Sequence, residues 1–378
     1  MHIGFIGSKG LNVGGTAFGG YETVITELGP RLVQAGHDVT VYARRRLYGG
    51  KVLPDTYRGV RLRPLGSIET KNIGTMSNSL LALLAAIRDR VDVVVFVNVG
   101  LGVYLPIAKA AGLGVVTFLD GVEWRRAKWG RLARLTFRLG AAMNVRLADR
   151  LVADGFAMQH IYTQEFGREP DCITYGVEVR PPSGDRWIKQ YGLACRGYNL
   201  LATRFVPENN AHLIVSAYQH SSSKVPLVVL GQNYYASEYE SRVRSIKDDR
   251  IKFLGQVHDR ECLYEFYQNC RAYLHGHSAG GTNPTLLEAL ANGCCIIALD
   301  TPFNREVLSE GECGILVGND EIEWRRALEL LDKGDSGLET LRTRALERAR
   351  AAYDWGPITK QYVSLLEQVQ KGARSRHV

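Results

Sequence analysis

Short unbroken apolar runs and longer amphipathic stretches take turns along this chain. His2–Gly7 is an apolar run that reads as a strand, and Tyr21–Ala35 repeats at helical spacing until Gly36 stops it. His37–Ala43 is the next apolar run; it completes a βαβ unit and predicts a parallel sheet. The pattern continues with a strand at Arg61–Leu65, a helix at Asn78–Arg90 and a strand at Val91–Asn98. A helix at Tyr104–Ala111 and a strand at Gly114–Leu119 follow. Arg150–Asp154, Gly155–Glu165 and Cys172–Tyr175 read as strand, helix and strand. Gly176–Asp185 (GVEVRPPSGD) has paired prolines and no periodicity, and marks a boundary. A second series follows it, with strands at Tyr198–Phe205, Pro226–Gly231 and Ile251–Leu254 and helices at Asn210–His220, Tyr239–Lys247 and Glu261–Cys270. Helices close the chain from Glu321, and the tail KGARSRHV is expected to fray.

The most informative stretch is HGHSAGGTNPTLLEALAN, His275–Asn292. It leaves an apolar run, Ala272-Tyr273-Leu274, and passes through Gly280, Gly281, Thr282 and Asn283. From Pro284 it becomes helical, with Leu286, Leu287, Leu290 and Ala291 on one face. Strand, glycine loop and helix in this order offer backbone amides and a positive helix end to an anion such as phosphate. Glu288, one turn on, is placed for a hydroxyl-bearing part of the same ligand. A plain structural turn with a capping Asn or Thr has the same pattern, and the stretch alone does not choose between them.

The first glycine loop, Gly7 to Gly20, is neither GxGxxG at a strand end nor a P-loop, which disfavours a dinucleotide enzyme or an ATPase. Its Gly19-Gly20 pair at the helix start still admits a phosphate, and the same glycines also read as a mobile surface loop. After Leu119 comes DGVEWRRAKW, which puts Asp120, Glu123, Trp124 and Lys128 at the carboxyl end of a strand, where α/β sheets gather ligands. There Asp120 or Glu123 is a candidate to position or deprotonate an acceptor hydroxyl; alternatively Asp120 caps a turn and the tryptophans pack the domain. The segment 125–150 interleaves arginines with Trp129, Leu132, Leu135, Leu139 and Met143. It reads equally as a solvated helix face and as a basic amphipathic helix for an anionic bilayer.

Composition narrows the classes. A chain of 378 residues suits two domains, and no apolar run reaches the roughly 18–20 residues that span a membrane. MHIGFIGSKG lacks the basic and apolar regions of a signal peptide. The seven cysteines never fall as CxxC, so neither a metal site nor a disulfide framework is implied and a reducing cytosol fits. A net charge of +8 points to an anionic partner, and no nucleic-acid-binding module accompanies it.

The C-terminal half resembles retaining glycosyltransferases of family 4. Arg204 in ATRFVPENN matches the arginine of that family's phosphate-binding segment, and GTNPTLLEALANG matches its donor-binding helix, with Glu288 as the ribose glutamate. ALDTPFNREVL and YDWGPITKQY match the strand-loop and terminal aromatic segments that follow. The chain departs from the family at two positions. Asn209 stands where a lysine is usual, and Gly280 replaces the first glutamate of the E-x7-E pair, so backbone amides would have to do more of the work there. GGYETVITELGPRLVQAGHDVTVYAR and DGVEWRRAKW are similar to the subset containing bacterial rhamnosyltransferases of surface-polysaccharide assembly.

The resemblance implies an α/β protein of GT-B fold, with two Rossmann-like domains facing a central cleft. The expected divisions are 1–176 on the acceptor side, 186–353 binding the nucleotide sugar, and a terminal helix 354–378 returning to the first domain. It implies transfer of a sugar, L-rhamnose from dTDP-rhamnose, with retention, to a glycan or polyprenyl-diphosphate-linked acceptor. Gly19, Gly20, Arg204, Asn209, Gly280, Gly281, Thr282, Asn283 and Glu288 would bind the donor. Asp120 and Arg204 would act in catalysis, with Glu123, Trp124 and Lys128 on the acceptor side. No cofactor or metal is expected, nor any nucleic-acid partner. The protein would sit in the cytoplasm against the inner membrane through 125–150. A family 4 transferase using a UDP- or GDP-sugar, a GT-B sugar-nucleotide epimerase and a non-catalytic nucleotide-sugar-binding protein are the alternatives.

Overall fold

A computed structural model describes residues 1–13, 19–49, 53–68, 73–119, 121–125, 130–232, 237–334 and 337–376. The chain divides into two compact units, one formed by Met1–Tyr175 with Trp355–Val378 and the other by Gly176–Asp354.

The first unit opens with β1 (His2–Ile6), α1 (Tyr21–Gln34), β2 (Asp38–Arg44), β3 (Thr56–Tyr57), β4 (Val60–Leu65) and α2 (Gly74–Arg88). It continues with β5 (Val93–Phe96), α3 (Leu105–Ala110), β6 (Gly114–Leu119) and α4 (Arg131–Leu147). β7 (Arg150–Ala153), α5 (Phe156–Phe166) and β8 (Asp171–Cys172) complete its N-terminal part. Its sheet has the order β3-β4-β2-β1-β5-β6-β7-β8, parallel except for the short β3–β4 pair. The βαβ reading of the sequence therefore holds, with the two-residue β3 as an unforeseen antiparallel edge. β5 and β6 are buried along their whole length, as unbroken apolar strands covered on both faces must be.

The second unit runs α6 (Arg186–Gln190), β9 (Asn199–Ala202), α7 (Ala211–Gln219), β10 (Leu227–Leu230) and α8 (Glu238–Arg244). Then come β11 (Ile251–Gly255), α9 (Arg260–Asn269), β12 (Tyr273–His275), α10 (Pro284–Ala291) and β13 (Ile296–Leu299). α11 (Pro302–Val307), β14 (Ile315–Val317), α12 (Glu321–Asp332) and α13 (Gly337–Ala352) close it. Its all-parallel sheet is ordered β11-β10-β9-β12-β13-β14. Leu201, Val229, Leu274 and Ile297 from its central strands pack in one core with Ile214 and Tyr218 of α7 and Trp324 and Leu328 of α12.

Apart from the β3–β4 hairpin, the order of strands in each sheet reverses at one place, between β1 and β5 in the first unit and between β9 and β12 in the second. Neighbouring strands there send their connections to opposite faces, which opens a crevice at their carboxyl ends.

The last helix, α14 (Trp355–Ser375), belongs to the first unit. It buries Trp355, Ile358, Tyr362, Leu365, Leu366, Val369 and Ala373, a stripe at helical spacing. The Tyr362 hydroxyl donates to Ile173 O at 3.0 Å, and its ring lies 5.3 Å from that of Phe118. Near the end of the described tail, Arg374 pairs with Asp92 at 3.2 Å and Arg376 with Asp149 at 2.6 Å.

Candidate functional site

The site is built at the β9/β12 reversal of the second unit. β9 ends at Ala202 and the chain turns through Thr203 and Arg204 into a short 3-10 turn, Pro207–Asn209. Arg204 is exposed, and its guanidinium has no carboxylate partner among the described residues. Asn209 was expected to contact the donor. Instead it is 4% exposed and spends both side-chain amide protons within the protein, on Thr203 Oγ1 and on Arg204 O, each at 3.0 Å. An amide with no proton left and almost no exposed surface braces the turn that carries Arg204.

β12 ends at His275, and the chain enters Gly276–Asn283. Gly276 lies so near the β9 turn that a Cβ there would fall 2.6 Å from Asn209 O, which excludes any side chain. Ser278 donates from its N at 2.8 Å and its Oγ at 2.9 Å to Glu208 O. The loops after β9 and β12 are thus bonded directly to each other.

The amides available to an anion differ from those expected. Asn283 caps α10, its Oδ1 accepting from Thr285 N at 3.0 Å, while its carbonyl accepts from Leu286 N and Leu287 N at 3.0 and 3.2 Å. Pro284 has no N–H. The first turn of α10 therefore has no amide left over, and only its dipole faces outward. The loop before it differs: among the described residues the amides of Gly280, Gly281 and Asn283 donate to nothing. Gly280 sits at φ +110, a region that L side chains rarely adopt. The absence of the family glutamate at 280 is thus built into the backbone. Thr282 is 7% exposed and belongs to the packed side of the loop.

Glu288 is half-buried in the second turn of α10. Burial first, with the Glu288 charge adding, pushes the Tyr264 hydroxyl up to about 12. Tyr264 accepts from Arg260 at 2.6 Å, and Arg180 lies 4.3 Å over its ring. Below the loop, full burial pushes His275 down to about 3, so its ring is neutral. It stacks on His277, with centroids 4.3 Å apart. Its Nδ1 meets Tyr273 OH at 3.3 Å, which donates to Thr285 Oγ1 at 3.2 Å, which donates to Asn283 Oδ1 at 2.8 Å. The capping residue is therefore held from beneath by a buried polar chain.

Asp120 and Lys128 lie outside the described residues. Glu123 and Trp124 are only 6% and 8% exposed. The Trp124 indole N–H donates to Glu165 at 3.1 Å, and its ring packs edge-on against Tyr162 and Phe166. Trp124 packs in that aromatic cluster, with its one polar group spent on Glu165. Gly20, at φ +65, leads into α1 without a side-chain cap. The loop before it has less to offer: Lys9 N donates to Glu22 at 2.8 Å, Leu11 N to Tyr48 OH at 2.8 Å and Asn12 N to Thr26 at 3.0 Å.

Residues 18–178 match the family described as Glycosyltransferase Family 4, and residues 195–350 match Glycosyl transferases group 1. The chain is built of two glycosyltransferase domains. Over 123 residues it is 32% identical to the phosphatidyl-myo-inositol mannosyltransferase of Mycolicibacterium smegmatis, a stretch that covers 32% of this chain and 31% of that protein. The glycosyltransferase fold is GT-B. The sucrose-phosphate synthase tll1590 of Thermosynechococcus elongatus superposes with a TM-score of 0.82 at 18% identity, over 98% of this chain and 99% of that one. Anabaena Alr3699/HepE in complex with UDP-glucose gives 0.78 at 17% identity, over 97% of this chain and 100% of that one.

Proposed function

We propose that the protein transfers a sugar from a nucleoside-diphosphate donor to an acceptor hydroxyl. The observation that carries this reading is the pairing, at the strand-order reversal of the second unit, of an unpartnered Arg204 guanidinium with the undonated amides of Gly280, Gly281 and Asn283. These are groups for a diphosphate, and Glu288 on the adjoining helix suits a ribose. The structural likeness to a protein crystallised with UDP-glucose supports a nucleotide-sugar donor.

When the bond from sugar to phosphate breaks, negative charge grows on the leaving diphosphate. Amides and a guanidinium fixed in advance stabilise that charge more than the ground state, without reorganising at the moment of reaction. The sugar would pass through an oxocarbenium-like species attacked on the face the diphosphate leaves, giving retention. Asp120 is the candidate to position or deprotonate the acceptor. Metal-independence is part of the proposal, because the cation and amides supply the charge neutralisation.

The donor we favour is dTDP-L-rhamnose, on the N-terminal motifs GGYETVITELGPRLVQAGHDVTVYAR and DGVEWRRAKW. Two of the similar proteins are named for other sugars, a mannosyltransferase and a sucrose-phosphate synthase, so rhamnose rests on those motifs alone. The acceptor would be a polyprenyl-diphosphate-linked glycan at the inner face of the membrane. α4 supports that placement. Its buried residues are Gly140, Ala141 and Asn144, while Leu132, Leu135 and Leu139 stand 79%, 65% and 55% exposed among arginines. No helix among the described residues is long and apolar enough to cross a membrane, so contact would be peripheral.

Thermal shift with UDP-, GDP- and dTDP-sugars tests the donor, and incubation of labelled dTDP-rhamnose with a lipid-linked acceptor tests the reaction. Stabilisation by UDP- or GDP-sugars alone would sink the rhamnose assignment. Binding without labelled lipid product would sink transfer to that acceptor.

A further inference from the structure

The loops after β9, β12 and β13 are tied together by asparagines, always with the side-chain amide as donor and a backbone carbonyl as acceptor. Asn210, 8% exposed, donates to Gly276 O at 2.9 Å. Asn304 on α11, 3% exposed, divides its two Nδ2 protons between His277 O at 3.1 Å and Leu299 O at 2.8 Å. Two consecutive carbonyls at the root of the anion loop are thus held from two different strand ends, 66 residues before Gly276 and 27 after His277. Ser278, the next residue, is held by Glu208 O.

A peptide unit is planar, so holding a carbonyl also fixes the direction of the N–H that follows it. With Gly276, His277 and Ser278 fixed, the chain enters Ala279–Asn283 in one orientation. It reaches the Asn283 cap with the amides of Gly280, Gly281 and Asn283 unspent. Asn304 has no amide proton left for a ligand.

We infer that Asn210 and Asn304 are positioning residues for anion recognition. They hold the 276–283 loop so that its amides stay unpaired and directed to a diphosphate. This rests on the reading of the loop as the donor-diphosphate site. The substitution pattern of the family adds a reason for the device. With no glutamate at 280 and with Asn209 consumed internally, the loop's affinity depends on backbone amides, and backbone amides can only be aimed by aiming the chain.

Asn210 stands at φ +51, a conformation glycine takes without strain. Asn210→Gly therefore removes the tie without forcing the turn. Asn304 lies in a helix, where Asn304→Ala favours the local backbone. The test is isothermal titration of the full chain with UDP, GDP, dTDP and inorganic pyrophosphate. Both variants should weaken the best nucleotide and pyrophosphate by the same factor, about tenfold for the loss of aligned charge-assisted bonds. The unfolding midpoint of Asn210→Gly should stay within about 3 °C of the parent. Glu288→Gln should weaken the nucleotide and leave pyrophosphate unchanged, which separates aiming of the amides from ribose contact.

Parental affinities in both asparagine variants would overturn the inference, as would weakening confined to the nucleotide. If Asn304→Ala does not fold, Asn210→Gly alone decides. If the parent itself binds neither nucleotide nor pyrophosphate, the site reading fails first and takes this inference with it.

Discussion

At the scale of single residues the candidate site depends on which polar groups are already spent. Arg204 has no carboxylate partner among the described residues, and its backbone is braced by Asn209. Arg204→Ala should lower kcat/KM by roughly 10- to 100-fold, the range for a charge-assisted contact made in the transition state. Circular dichroism should be unchanged, and a parental rate in steady-state assays would remove the phosphate contact. Gly280 is constrained by its φ of +110. Gly280→Glu, which restores the residue common in the family, should impair donor binding, because strain of about 1–3 kcal/mol would shift the amides. Tighter binding in a titration would mean that the side chain, and not the backbone, was what the loop lacked.

His275 sets a pH dependence. Its folded value, about 3, lies below the ordinary value of 6.5, so between those pH values the unfolded chain binds a proton that the folded chain refuses. Stability is complete above about 6.5 and is lost as pH falls, at about 1.4 kcal/mol per pH unit for one proton. His275→Asn should flatten the dependence of urea-unfolding free energy on pH between 6 and 4 by that slope. Parallel curves for parent and variant would show that the buried ring is not the cause.

At the scale of elements, α4 presents leucines outward because its inner face is occupied by small residues and by Asn144. That side chain donates to Val99 O at 2.7 Å and to Gly140 O at 2.9 Å, and accepts from Thr117 at 2.8 Å. The helix is therefore docked before its leucines find any partner in the unit. Replacing Leu132, Leu135 and Leu139 by Ser should lower co-sedimentation with phosphatidylglycerol vesicles while leaving the unfolding midpoint nearly unchanged. Leucines exposed in the folded state lose little burial. Equal sedimentation would return α4 to the role of a solvated helix.

Periodicity alone located the glycine loop and α10 correctly. It left open whether the first turn of α10 offers its amides or is capped by an Asn, and Asn283 is that cap. The place of Trp124 at a strand end likewise left ligand contact and packing open, and its partners are Glu165, Tyr162 and Phe166. Cap geometry and a partner 41 residues away leave no mark on hydrophobic spacing.

At the scale of the molecule, the two units differ in how the chain builds them. The second is one continuous segment, 176–354, and carries Arg204, Gly280, Gly281, Asn283 and Glu288. Expressed alone, it should fold and bind the nucleoside diphosphate that the full chain binds. The first unit needs α14 from the far end of the sequence. Without it, the apolar surface now under Ile358, Tyr362, Leu365, Leu366 and Val369 is exposed, and residues 1–175 alone should bind a hydrophobic dye and aggregate. A monomeric, dye-silent 1–175 would show that α14 is an accessory.

The alternation of strands and helices and the place of the glycine loop were determined by the sequence alone, because each follows from residues within a turn or two of one another. The tertiary structure decided the rest. It assigned Asn209 to brace Arg204, Asn210 and Asn304 to hold the loop, and the α10 amides to their own cap. Each buried polar group must find a partner wherever the fold supplies one, and what is left unpaired afterwards is what a ligand can use.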